Sequence, residues 1–139
     1  MPANTNPIFT LTPNAFTCSI AAANTARDGS GTLVTAFTAG ANGSRIESVT
    51  FTSAQASAAA NSAMVGKVFL TDTSGANPRL IAETTLPAAT ASNTAIGQVQ
   101  TITFTNGLII NSGQILKVCQ SVYAGVQDQF HVLTKGGDY

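Results

Sequence analysis

Nucleophilic catalysis needs a hydroxyl or thiol, a base, and a group that orients the base. This chain has a single histidine to offer, His131, close behind Asp128 and near Ser121, which invites a Ser-His-Asp reading. The setting argues against it. Ser121 and Asp128 lie around the turn signal Ala124-Gly125, and no nucleophile-elbow pattern surrounds the serine. His131 falls between Phe130 and Val132, so strand alternation puts it on a surface. The carboxylates are Asp28, Glu47, Asp72, Glu83, Asp128 and Asp138. A glycosidase-type pair could be drawn from any such set, but Asp28 precedes Gly29, and Asp72 leads the turn Thr73-Ser74-Gly75. Asp at such positions caps its own backbone. Calcium at Asp72 lacks enough ligands, and Gly29-Ser30-Gly31 has no following Lys-Ser or Lys-Thr to make a phosphate loop. Cys18 and Cys119 fit no metal spacing and sit in apolar strand patterns, where a lone Cys acts as a small hydrophobe. The residues point to no catalytic centre, cofactor or metal.

Charge is scarce throughout. Charged residues make up 9% of the 139, against roughly 25% in an ordinary soluble domain. Six basic residues balance six acidic ones. The bases Arg27, Arg45, Lys67, Arg79, Lys117 and Lys135 are scattered singly, which excludes the clustered phosphate contacts of a nucleic-acid binder. No apolar run approaches the length of a membrane-spanning helix. The start, Met1 to Pro7, lacks the basic and apolar regions of a secretory signal, so no export is expected. A surface made of Thr, Ser, Asn, Gln, Ala and Gly suits close packing against other subunits, since interface cores are depleted in charge. The other reading is a solitary uncharged domain.

The elements that position these residues read as strands. Phe16, Cys18 and Ile20 alternate with Thr17 and Ser19. Further runs are 32–38, 45–52, 67–71, 79–84, 98–104, 114–122 and 127–134, giving eight strands. In the 45–52 run the spacing changes after Ile46, which marks a bulge. Asp28-Gly29, Asn42-Gly43, Ser74-Gly75, Asn106-Gly107, Ser112-Gly113 and Ala124-Gly125 read as turns. Two longer stretches, 53–63 (a short helix or a polar loop) and 87–97, are expected to cross between sheets. The expected fold is an all-β, two-sheet β-sandwich, with the jelly roll as leading topology and an immunoglobulin-like sandwich as runner-up. Residues 15–139 form that domain. Residues 1–14, with Pro2, Pro7 and Pro13, form an extended arm with Ile8, Phe9 and Leu11 to dock. It either pins to its own domain or reaches a neighbouring subunit.

The segments Asn24-Thr25-Ala26-Arg27-Asp28-Gly29-Ser30-Gly31 and Phe37 to Ile46, the run Lys67 to Asp72, and the terminus Gly136-Gly137-Asp138-Tyr139 carry a resemblance. Together they resemble a family of small virion structural proteins of tailed bacteriophages and prophages, in order over residues 24–139. The resemblance implies a capsid decoration (cement) protein on the outer surface of a phage head, synthesised in the host cytoplasm. Its implied partners are the major capsid protein and further copies of itself, a trimer being favoured. On this reading Arg27 and Asp28 pair within or across subunits, Asp138 and Tyr139 anchor the C-terminus, and Ile8, Phe9 and Leu11 join the interface. The competing reading is a tail-tip, fibre or baseplate module that binds host carbohydrate; the absence of tryptophan weakens it.

Overall fold

The structure is a computed structural model that describes residues 10, 12–55 and 59–139. It contains eight strands: β1 (Thr12–Ile20), β2 (Val34–Thr38), β3 (Ser44–Ser53), β4 (Met64–Leu70), β5 (Arg79–Leu86), β6 (Val99–Ile110), β7 (Ile115–Gln120) and β8 (Phe130–Asp138). A 3-10 turn, Val126–Asp128, precedes β8. Among the described residues of the 53–63 crossing there is no helix.

The strands form two four-stranded sheets, β1-β8-β3-β6 and β2-β7-β4-β5. The pairs β1–β8, β2–β7, β3–β6 and β4–β5 are all antiparallel. The chain is thus one long hairpin, with its tip between β4 and β5, whose successive strand pairs go to alternate sheets. That is the jelly roll. Both long crossings run between sheets as expected, and two amides tie them together. Gln55 Nε2 donates to the Ala89 carbonyl and Asn61 Nδ2 to that of Pro87. In return Ala91 N donates to Gln55 Oε1 and Ala89 N to Asn61 Oδ1. Pro87 follows directly on the end of β5.

Between the sheets lies one core, built from Ile20, Phe37, Ile46, Val49, Phe51, Val68, Leu86, Leu116, Val118, Phe130 and Val132. Ile46 and Val49 both face it, although an odd spacing puts strand residues on opposite faces. An extra residue, Glu47, resolves the conflict: the register with both neighbours shifts between Ile46 and Ser48. The expected bulge is there.

Asn106-Gly107 behaves differently from the turn between strands that its residues suggest. Both adopt positive φ, 65° and 76°, yet they lie within β6. The chain makes a local excursion opposite the β3 bulge, then Leu108–Ile110 pair again with Ser44–Ile46. Strand β1 begins at Thr12 and pairs through Asn14 with Gly136–Asp138, so the last residues of the expected arm belong to the sheet.

Candidate functional site

Three rows of side chains cross the outer face of the first sheet, fixed by the registers of β1, β8, β3 and β6. One row is Ser19, His131, Thr52 and Val99. The next is Thr17, Leu133, Thr50 and Thr101, and the third is Ala15, Lys135, Ser48 and Thr103. Alternation explains the composition, because Phe16, Cys18, Ile20, Val132, Val49, Phe51 and Ile102 take the opposite, core-facing positions. Only His131 and Lys135 among these outward groups can carry charge. The hydroxyls of Thr50 and Thr101 lie 2.9 Å apart and bond across strands. Glu47, on the bulge, borders a shallow depression with Lys135, Pro13 and Asn14. The face is broad, neutral and rich in hydroxyls.

The three residues of the suggested triad are spread apart. His131 is exposed on this face, beside Thr17, Ser19 and Thr52. The Ser121 hydroxyl accepts from the Val65 amide at 2.9 Å. Asp128 is fully buried and accepts from the amides of Ser62 (2.6 Å) and Ala124 (2.7 Å) and from the Ser62 hydroxyl (3.1 Å). No hydrogen bond joins the three. Asp128 instead locks the chain before β4 to the turn before β8.

Asp72 acts locally. Asp72 Oδ1 accepts from the Ser74 amide and hydroxyl and the Ala76 amide, and Oδ2 accepts from Asn77. The Ser74 hydroxyl, then Asn77 and the Ala76 amide, hold the Asp72 pKa down at about 2. Among the described residues no group of three or more His, Cys, Asp or Glu could hold a metal ion. Cys18 and Cys119 are free thiols in different sheets. Burial pushes the Cys18 thiol up to about 11, and raises that of Cys119 while nearby Lys67 opposes the rise.

The expected interface residues divide into groups. Ile8, Phe9 and Leu11 lie outside the described residues. Within one subunit Arg27 and Asp28 do not pair with each other. Arg27 Nη2 instead reaches Glu83 on β5 at 2.7 Å, in an exposed ion pair. Asp28 turns back onto the hydroxyl and amide of Ser30, and these bonds lower its pKa. The reason is local: an aspartate two residues before an amide can close a turn without ordering a long side chain.

At the C-terminus, Asp138 accepts from the Ser44 hydroxyl and, at 3.4 Å, from Asn14 Nδ2. Ser44 Oγ in turn accepts from the Gly40 amide. Tyr139 N donates to the Gly43 carbonyl, and Asn42 Nδ2 donates to the Tyr139 carbonyl. The Tyr139 phenol oxygen is buried with no hydrogen-bond partner among the described residues. Gly136 and Gly137 are demanded by packing inside the subunit. A Cβ on Gly136 would strike the Arg45 carbonyl at the β3 bulge, and one on Gly137 would lie 2.7 Å from the Thr10 side chain.

Lys67 is the residue that sequence reasoning missed. It counts there among the scattered bases, yet it is only 2% exposed. Its ammonium donates to the carbonyls of Asn24 (3.1 Å), Thr25 (2.9 Å) and Ala26 (3.1 Å). Its place between Gly66 and Val68 in the otherwise apolar Met64–Leu70 was the available signal.

No family model matches this chain, and no curated protein matches it. Among solved structures, one titled "Structure of infectious bursal disease virus Gt strain" is similar at 16% identity and a TM-score of 0.30. The match covers 91% of this chain and 32% of that one, so this chain spans about a third of its length. A likeness of that degree decides neither family nor function.

Proposed function

We propose that the protein is a non-catalytic structural component of a virion, specifically a decoration protein that seats on the outer surface of a phage head. The observation that carries this reading is the three-row neutral face of the first sheet. A hydroxyl-rich surface held by four paired strands, with Lys135 beside Glu47 as the one permanent charge of its rows, can be covered with little ionic desolvation, whereas a buried unpaired charge is costly. Many copies on one shell multiply weak individual contacts, so no single contact has to be strong. The resemblance of residues 24–139 to phage virion proteins supports the same reading, with the major capsid protein as partner.

The test is binding to expanded heads that lack the protein. Purified protein is expected to co-sediment with such heads and to raise the temperature at which they rupture. A variant with Thr17 and Thr50 both changed to Glu should bind far more weakly. If the unmodified protein fails to bind, or leaves rupture unchanged, the proposal is wrong. Saturable glycan binding that centres on His131 and its neighbours Thr17, Ser19 and Thr52, with no binding to heads, would establish the carbohydrate-module reading instead.

A further inference from the structure

Among the described residues the two sheets have four edge strands: β1 and β6 in the first, β2 and β5 in the second. An open edge presents unpaired amides and carbonyls to any other strand, and folded proteins ordinarily guard it with charge, proline, bulges or shortness. Three of the four edges are guarded. Strand β1 carries Pro13, which has no amide to donate. Strand β2 has five residues and a register shift between Thr35 and Phe37. Strand β5 carries Arg79 and Glu83, the latter held by Arg27.

Strand β6 has none of these protections over its first half. Its twelve residues include no charge and no proline. Before the excursion at Asn106-Gly107, Val99–Thr103 run in unbroken register along β3. Val99, Thr101 and Thr103 are exposed, with Val99 at 46% and the neighbouring Ile96 at 88%.

We infer that β6 is a self-association edge, through which two copies of this chain pair antiparallel about a twofold axis at Thr101. A second copy is the occupant that the chemistry favours. On a self-paired strand any charged side chain near the axis meets its own kind, and β6 has none to meet. Centring on Thr101 lays the whole straight run upon itself and sets Val99 of each copy against Thr103 of the other. It also joins the neutral outer faces of the two first sheets into one continuous surface. An antiparallel edge pairs with itself only about a twofold, so this contact gives a dimer and not the trimer expected from the family resemblance. The inference does not depend on where the protein docks.

Sedimentation velocity of the intact chain at micromolar concentration tests it, with a dimer expected. Thr101→Lys places two ammonium groups across the axis and should weaken dimerisation by up to about fivefold at low salt, since directly opposed like charges on paired strands repel. Thr50→Lys, one strand inward on the same face, should leave the dimer intact. Thr101→Cys should give a covalent dimer on mild oxidation, because directly opposed residues lie within disulfide reach, while Thr50→Cys should not. Circular dichroism and melting of each variant check that the fold is kept. A monomeric or trimeric wild type, or a Thr101→Lys chain that is folded and dimerises as tightly as the wild type, overturns the inference. A monomer that binds heads would overturn it and leave the decoration proposal standing; a dimer that ignores heads would do the reverse.

Discussion

The Lys67 ammonium donates to the Asn24 carbonyl at 3.1 Å, and the Asn24 side chain donates to the carbonyls of Ser30 and Thr32. A buried cation on β4 and a buried amide just after β1 thus act together to fold the crossing loop between β1 and β2 onto the second sheet. The Ala26 amide closes the arrangement by donating to Asn24 Oδ1. Three donors on the lysine meet three carbonyl acceptors, so the ammonium is satisfied without a carboxylate.

Lys67→Met keeps the length of the side chain and removes every donor. It should cost about 1–3 kcal/mol, the penalty for leaving buried acceptors without partners. Urea denaturation measures the loss. Hydrogen exchange should speed up most between Asn24 and Thr32, and a uniform effect across the fold would contradict this assignment.

Acid should destabilise the protein in a defined window. The folded pKa of Asp72 is depressed from 3.8 to about 2, so its contribution is present above the unfolded value and is lost as pH falls between them. Asp28 is shifted the same way by Ser30. Urea midpoints should therefore drop from about pH 4 towards pH 2. Asp72→Asn should flatten that limb, and an unchanged limb would show that the Ser74–Asn77 turn does not hold the charged form.

Gly136→Ala should lower stability by about 1–3 kcal/mol or more, because the methyl meets the backbone of Arg45 and not a flexible side chain. Gly113→Ala is the comparison. There the nearest atom is 3.3 Å away, on Thr73, and the cost comes from the positive φ of 73°. Thermal melting of the two should show the larger loss at Gly136.

The Arg27–Glu83 pair should contribute less than about 1 kcal/mol in a double-mutant cycle, since both side chains are exposed and screened. Ser44→Ala should cost more than either single change of that pair, because it strips the Asp138 carboxylate and the Gly40 amide of a shared partner.

How much of this was legible in the sequence depends on the range of the interaction. Alternation over Phe16, Cys18 and Ile20 sets which side of β1 faces the core, and the spacing from Ile46 to Val49 reveals the bulge. The crossings at 53–63 and 87–97 follow from their length and composition. The role of Lys67 does not, because its partners lie on a loop some forty positions away and their carbonyls carry no side-chain signal. Asn106-Gly107 misleads for a related reason: a left-handed pair turns the chain locally, and only the return of Leu108 to Ile46 shows that the strand resumes. The neutral outer face is half visible. Its Thr and Ser residues can be read from each strand, but their alignment into rows depends on pairings between distant strands. In the Gly-Gly-Asp-Tyr terminus, the structure supplies a packing reason for the glycines in the backbone of Arg45 and the side chain of Thr10.

The pairing of β1 with β8 sets Thr12 opposite Asp138, so strands from opposite ends of the described chain are neighbours in one sheet. Strands β4 and β5, at the other extreme, are joined by a short turn. Assembly on the ribosome must therefore wait. The central hairpin can form early, but β8 separates β1 from β3 in its sheet, and that sheet cannot close until β8 has emerged from the exit tunnel. Until then the β3–β6 pair is open along both of its edges, when neighbouring nascent chains are near.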